Sequence, residues 1–109
     1  DIESMKRQYN YRRRVIVDGF RSMGLSCFEP KGAFYVMVCI KELFGKSYNG
    51  KQINCSMDFA QILLENTMTA VVPGGPFGAD NYIRLSYATS MENIKKGLSR
   101  IIEFAEGVK

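Results

Sequence analysis

The sequence contains no histidine and only three cysteines, and these absences narrow the chemistry that the chain can support. Histidine is the commonest general base in enzymes, so Ser-His and Cys-His catalytic pairs built from this chain alone are excluded. Cys27, Cys39 and Cys55 show no CxxC spacing. We therefore expect neither a metal site nor a disulfide framework, but small core side chains in a reducing, cytoplasmic setting. Any catalysis must use groups from outside this chain.

Other signals are missing as well. No apolar run is long enough to span a membrane, and the first residues show no signal-peptide pattern. The glycine-rich stretch from Pro73 to Gly78 lacks the Gly-Lys-Ser/Thr ending of a phosphate-binding loop. The carboxylates are scattered, so acid–base catalysis by this chain alone is not indicated. We expect no membrane partner and no nucleotide hydrolysis.

The length of 109 residues and the hydrophobic content of 46% suit one domain with one core. Periodicity predicts helices from the start of the chain to residue 24, over 56–66 and over 90–105, and strands over 25–28, 33–40, 68–72 and 82–88. The strand over 33–40 is apolar throughout, which predicts a central strand covered on both faces. In a domain this small, one of the two covering layers can come from outside this chain. The fold class is therefore α+β, a two-layer sandwich with a small, mostly antiparallel or mixed sheet of about four strands.

Terminal signals support these helices. Gly24 is placed to end the first helix with a positive φ, and Ser56 is placed to cap the second, with Asp58 in its first turn. The stretch 89–92 matches a capping box at the start of the last helix. The segment 41–54 is the least patterned, and we expect it to be an ordered but mobile surface loop.

Arg84 stands out in the stretch that follows the glycine-rich turn. Strict alternation places Ile83, Leu85 and Tyr87 on one face of the strand and Arg84 on the other, away from the apolar side. A guanidinium held on a strand beside a glycine-rich turn can grip a carboxylate through two parallel hydrogen bonds. The alternative is a solvated strand arginine without a ligand.

The net charge of +4 is concentrated in the first helix. Tyr9 and Tyr11 interleave with the basic run Arg12 to Arg14, as in some nucleic-acid-binding patches. The same segment has a helical apolar stripe that leaves most arginines on the opposite side, which indicates a solvated or interdomain helix face. We favour the helix face and expect no nucleic-acid partner, while a free-standing basic binding module stays open as an alternative.

Several short motifs, taken together and in order, carry a family resemblance. They are Tyr11-Arg12-Arg13-Arg14, Gly24-Leu25, Pro30-Lys31-Gly32-Ala33-Phe34-Tyr35, Val71-Val72-Pro73-Gly74-Gly75-Pro76-Phe77-Gly78 and Ile83-Arg84-Leu85-Ser86-Tyr87-Ala88. The set resembles the C-terminal small domain of fold-type I pyridoxal-phosphate aminotransferases, in particular the bacterial aspartate aminotransferase-like branch. The resemblance covers essentially residues 1–109.

The resemblance implies a role for specific residues. The arginine matched by Arg84 binds the α-carboxylate of the substrate in that family, and Gly32, Tyr35 and Phe77 fall in stretches that border the cleft. For these last three, a purely structural role as turn and core residues is the alternative. The small domain closes on the large domain when substrate binds.

The resemblance also implies what lies outside this chain. The lysine and the other groups that hold pyridoxal 5'-phosphate belong to the large domain, so the fragment is expected to bind no cofactor and to be inactive alone. The full enzyme would transfer an amino group between an amino acid, aspartate being a candidate, and a 2-oxo acid, as a homodimer. A pyridoxal-phosphate lyase or synthase that uses the same small domain is the other interpretation.

Overall fold

Helices and short strands follow one another in the predicted order, with one additional hairpin. The computed structural model describes residues 1–30 and 34–109. The helices are α1 (Ile2–Ser22), α2 (Ser56–Thr67) and α3 (Met91–Glu106). The strands are β1 (Cys27–Phe28), β2 (Tyr35–Cys39), β3 (Ser47–Tyr48), β4 (Lys51–Gln52), β5 (Val72–Pro73) and β6 (Tyr82–Ser86). Short 3-10 turns occupy Lys41–Leu43 and Gly75–Phe77.

Four of the strands form one antiparallel sheet in the order β1-β2-β6-β5. The longest pairing joins β2 to β6, with Val36 opposite Leu85 and Val38 opposite Ile83. The helices pack on one face of this sheet, where Val36, Val38 and Ile83 are fully buried. The predicted α+β class and the sheet of about four strands are confirmed.

The opposite face of the sheet is only partly covered by the described residues. On β2 the side chains of Tyr35, Met37 and Cys39 are half-buried, whereas their neighbours Val36 and Val38 are buried. The described residues therefore supply one of the two predicted layers, and a second layer from outside this chain stays a prediction. An apolar run predicts burial, but it cannot tell which layer supplies the cover.

The cysteines also differ from expectation. Cys27, Cys39 and Cys55 are all half-buried rather than core residues. Cys39 lies on the partly open face of the sheet, because its position alternates with that of the buried Val38. Partial burial raises the pKa of the Cys27 thiol, and Arg21 opposes this shift.

The first helix ends as its sequence predicts. Gly24 adopts a φ of +81°, and its N–H donates to the carbonyl of Arg21 at 3.0 Å. The N–H of Leu25 donates to the carbonyl of Phe20 at 3.1 Å, and both Leu25 and Phe20 are buried. This pair of bonds, with its hydrophobic contact, is a Schellman motif, which only a residue tolerant of positive φ supports readily.

The last helix begins one residue later than the capping box predicts. The N-cap is Ser90, whose Oγ accepts from the N–H of Asn93 at 3.2 Å. Asn93 is the third residue of the helix, where a capping box has Glu or Gln, and its side-chain amide donates to Thr89 Oγ1 at 3.2 Å. Glu92 lies in the first turn, where a negative charge favours the helix dipole.

The segment 41–54 is more regular than predicted. It holds the β3–β4 hairpin, closed by Asn49 and Gly50 with φ values of 49° and 82°. An Asn-Gly pair is the preferred sequence of this tight turn, so the signal was present in the sequence. Ile53, just after the hairpin, is fully buried in the core.

The predicted strand over 68–72 is much shorter in the structure. Met68 is a left-handed residue with φ 59° that ends α2, and only Val72 and Pro73 pair with β6. Thr69 is buried, so this stretch packs as a connection rather than as a strand.

Across the part of the chain that the structure describes, every helix is too short or too polar to cross a bilayer.

Candidate functional site

Arg84 lies in the middle of β6 on the partly open face of the sheet. Its Cα partners are Met37 on β2 and Val72 on β5, so strands flank it on both sides. Alternation confirms the predicted faces: Ile83 and Tyr87 are buried, while Arg84 is half-buried. Paired strands on both sides hold the backbone of Arg84 in place, and a residue that orients a ligand needs such a rigid backbone.

Two aromatic rings hold the guanidinium. The Cζ atom of Arg84 lies 4.6 Å from the ring centroid of Tyr35 and 5.3 Å from that of Phe77. Both distances fit cation–π contacts, which restrict the rotamers of the arginine without neutralising its charge. Tyr35 comes from β2 and Phe77 from the 3-10 turn, so the structure brings together three of the four residues predicted for the site.

A shallow cavity of about 300 Å³ opens beside these rings. Its lining consists of Tyr35, Met37, Val72, Pro73, Gly74, Phe77, Ala79 and Arg84. Sequence reasoning missed Met37 and Val72, because their approach to Arg84 depends on strand register, which alternation alone does not give. Apolar walls around one cation lower the local dielectric and strengthen its attraction for an anion.

The charge of Arg84 has no counter-ion inside the described structure. Residues 1–30 and 34–109 place no carboxylate within ion-pair distance of its guanidinium, the ion pairs there being Arg13 with Glu29 and Lys51 with Glu65. A half-buried, aromatic-braced guanidinium with free donors can bind a carboxylate bidentately. The geometry therefore fits anion recognition better than a structural ion pair.

The turn that carries Phe77 is tightly packed. A Cβ on Gly74 would lie 2.0 Å from the carbonyl oxygen of Ala79 and 2.7 Å from that of Tyr82. The N–H of Gly74 donates to the Tyr82 carbonyl at 2.9 Å, which joins the turn to the start of β6. Only glycine fits at this position without a shift of the backbone.

Ser56 does not cap α2 as predicted. Cys55 is the N-cap residue and forms no side-chain cap bond. Ser56 is the first helical residue and is fully buried, with its Oγ donating to Asp80 Oδ1 at 2.9 Å and accepting from the N–H of Gly75 at 2.8 Å. Asp58 lies in the first turn as expected and accepts from the N–H of Asn54 at 3.0 Å.

Gly32, the remaining predicted site residue, lies outside the described residues. Its described neighbour Phe34 packs against Tyr9 with ring centroids 5.1 Å apart and against Tyr87 at 6.3 Å. The hydroxyl of Tyr87 donates to Glu29 Oε1 at 2.9 Å. Burial, together with this carboxylate, raises the pKa of Tyr87 to about 12.

The basic run on α1 is partly used within the domain. Arg13 Nε donates to Glu29 Oε2 at 3.0 Å, and the Cζ of Arg12 lies 5.7 Å from the ring centroid of Tyr9. Arg14 and Tyr11 are exposed. These contacts account for two of the arginines, Arg12 and Arg13, by packing and charge pairing on their own domain.

The cavity does not fit a complete pyridoxal-phosphate site. Its lining offers no lysine amine for a covalent link to the cofactor and no carboxylate to face a pyridine nitrogen. Elsewhere among the described residues, the lysines are exposed. No cluster of three or more metal-binding side chains occurs within 1–30 and 34–109.

Comparison with known proteins identifies the family of the chain. The sequence model of the family "Aminotransferase class I and II" matches residues 1–101. The chain therefore belongs to the aminotransferase class I and II family.

Individual relatives are similar over most of the chain. An aspartate aminotransferase of Streptomyces avermitilis is 40% identical over 101 residues, 92% of this chain and 25% of that protein. A probable aspartate/prephenate aminotransferase of Rickettsia felis is 50% identical over 76 residues, 69% of this chain and 19% of that protein.

A solved structure shows the same fold. The crystal structure of the aspartate aminotransferase from Rhizobium meliloti superposes with a TM-score of 0.93 and 36% identity, over 98% of this chain and 27% of that one. The chain thus spans about a quarter of the length of such relatives. The predicted resemblance to the aspartate aminotransferase-like branch is confirmed.

Proposed function

We propose that this chain is the C-terminal small domain, residues 1–109, of a pyridoxal-phosphate-dependent aminotransferase, in which Arg84 binds the α-carboxylate of the substrate. The observation that carries the proposal is the guanidinium of Arg84, braced by Tyr35 and Phe77 and without an internal counter-ion among the described residues. A half-buried guanidinium that no carboxylate neutralises keeps its N–H donors available for a ligand.

The chain's own residues would bind, orient and shield the substrate. Two parallel N–H···O bonds from Arg84 would fix both carboxylate oxygens, and so the direction of the adjoining Cα. Phe77 is 69% exposed and stands beside the guanidinium, where it would exclude water once the substrate is bound. Binding energy spent at Arg84 would in this way favour closure of the domain.

The reactive chemistry would come from outside this chain. Pyridoxal phosphate supplies an electron sink at the substrate Cα when it is bound, and the lysine that holds it would belong to the large domain. We accordingly infer that residues 1–109 alone are inactive. The full enzyme would be a cytoplasmic homodimer that exchanges an amino group between an amino acid and a 2-oxo acid.

The names of the relatives suggest the first substrates to test. Aspartate, which occurs in the names of the relatives, is the amino donor to test with a set of 2-oxo acids as acceptors, and the products are a 2-oxo acid and an aminated acceptor. Chromatography of both products distinguishes transamination from a lyase or synthase reaction, which would leave the acceptor without an amino group.

Kinetics of the full-length enzyme test the role of Arg84. Arg84→Gln should lower kcat/KM for aspartate. The corresponding loss of transition-state stabilisation should be about 2–5 kcal/mol, as expected for a carboxylate contact removed from a closed site. Arg14→Gln is the matched control, because Arg14 is an exposed arginine on α1. Equal kcat/KM values in the two variants would refute the assignment.

A further inference from the structure

The strongest unassigned feature is a partly buried hydrogen-bond path, centred on the buried Ser56, that ends at the turn beside Arg84. Asp80 Oδ1 accepts from both the N–H of Ser56 at 3.1 Å and its hydroxyl at 2.9 Å. The Ser56 hydroxyl in turn accepts from the N–H of Gly75 at 2.8 Å. The path therefore joins the start of α2, the residues before β6 and the first residue of the 3-10 turn.

The hydroxyl at the centre of this path has a defined orientation. Ser56 is fully buried, and its single proton is committed to Asp80 while a lone pair receives the Gly75 N–H. A carboxylate acceptor makes the bonds to Asp80 stronger than neutral ones. Space is also limited, because a Cβ on Gly75 would lie 2.9 Å from Asp80 Oδ1 and 3.1 Å from Ser56 Oγ.

Phe77 depends on this path for its position. The ring is 69% exposed, so its own packing cannot fix it, yet it lies 5.3 Å from the guanidinium of Arg84. The turn that carries it begins at Gly75, the residue that the Ser56 hydroxyl anchors. An exposed aromatic ring on a short turn keeps a defined contact only when the backbone beneath it is held.

We infer that Ser56 and Asp80 are positioning residues for the carboxylate-binding site: they anchor the turn so that Phe77 packs on Arg84. The inference rests on the proposed function only for its consequence in ligand affinity. Its structural part, the contact between Phe77 and Arg84, can be measured without any ligand.

The test uses NMR of the full-length enzyme with isotope-labelled arginine side chains. The side-chain protons of Arg84 next to the Phe77 ring have chemical shifts displaced by its ring current, and Phe77→Ala gives the reference in which that contribution is absent. Ser56→Ala and Asp80→Ala should move the Arg84 shifts most of the way to this reference. Asp80→Asn keeps an oxygen acceptor and should restore the wild-type shifts.

Asp58→Ala is the matched control. It removes a carboxylate from the same helix start, where Asp58 accepts from Asn54, but this carboxylate forms no bond with the turn. We expect Asp58→Ala to lower stability while leaving the Arg84 shifts unchanged. Ser56→Ala and Asp80→Ala break the path at different points, so one folded variant is sufficient for the comparison.

Titration of the full-length enzyme with pyruvate, the probe for a 2-oxo acid, separates the inference from the proposed function. Weakening of pyruvate binding by about three- to tenfold in Ser56→Ala is expected, as for one lost hydrogen bond. If pyruvate binding does not depend on Arg84, the proposed function fails while the shift test still stands. If Ser56→Ala and Asp80→Ala leave the Arg84 shifts as Asp58→Ala does, the positioning role is overturned.

Discussion

Gly74→Ala is the substitution whose effect follows most directly from the structure. The added Cβ would lie 2.0 Å from the Ala79 carbonyl oxygen, and real Cβ contacts of this kind are not shorter than 3.0 Å. The backbone must therefore shift by about 1 Å at a buried point. Both obstructing groups, the carbonyls of Ala79 and Tyr82, are backbone atoms, so no side-chain rotation relieves the clash.

The cost can be worked out from the bonds that such a shift disturbs. They are Gly74 N–H to the Tyr82 carbonyl at 2.9 Å, Ala79 N–H to the Gly74 carbonyl at 2.9 Å and Tyr82 N–H to the Ala79 carbonyl at 3.0 Å. Each is worth about 0.5–1.5 kcal/mol net, so loss of two or three predicts destabilisation by about 1–4.5 kcal/mol. For a domain of about 100 residues, Tm falls by about 4–8 °C per kcal/mol.

Urea denaturation followed by circular dichroism measures this change in the free energy of unfolding. Gly97→Ala is a control of opposite sign, since its Cβ meets only Thr69 Cγ2 at 3.9 Å and it lies inside α3. Alanine in a helix interior should stabilise by about 0.5–1 kcal/mol over glycine. If the free energy of unfolding of Gly74→Ala differs from that of the wild type by less than about 0.5 kcal/mol, the turn geometry given above is wrong.

Two further stability predictions rest on single contacts. The pKa of Tyr87, raised from its ordinary 10.0 to about 12, means that the neutral form is favoured in the folded state; its stabilisation is complete below pH 10 and is lost as pH rises towards 12. Tyr87→Phe should therefore show a smaller decline in unfolding free energy over this interval, and an unchanged slope would contradict the burial of the hydroxyl beside Glu29. Ser90→Ala should lower the free energy of unfolding by about 1 kcal/mol, because the cap to the Asn93 N–H is lost, and Thr89→Ala should lower it much less. Equal decreases for the two variants in urea titrations would contradict the assignment of Ser90 as the N-cap.

Local rules predicted the parts of this fold that depend on local interactions. The Schellman ending at Gly24, the amphipathic α3 and the alternation around Arg84 all follow from backbone conformation and side-chain period. The same reasoning placed the cap of α3 at Thr89 rather than Ser90, because a Ser/Thr pair offers two adjacent capping hydroxyls. The Asn49-Gly50 pair is a sequence signal for a tight hairpin turn, although the segment 41–54 was interpreted as a loop.

Tertiary interactions decided the rest. Ser56 is of a residue type that is common at helix N-caps, yet its hydroxyl donates to Asp80, which lies 24 residues away in the chain. Met37 and Val72 reach the cavity through strand register, and Cys39 is only half-buried because the described residues cover that face of the sheet in part. None of these relations has a local period from which a sequence could predict it.

The central claim is that Arg84 recognises a carboxylate, and a comparison of acid with amide in the full-length enzyme tests it most directly. Affinities of the wild type and of Arg84→Gln would be measured for alanine and for alaninamide, which differ mainly in the charge of one group. We expect the wild type to prefer the acid by about 2 kcal/mol or more and Arg84→Gln to lose most of this preference. A preference of the same size in both proteins would show that another group binds the carboxylate.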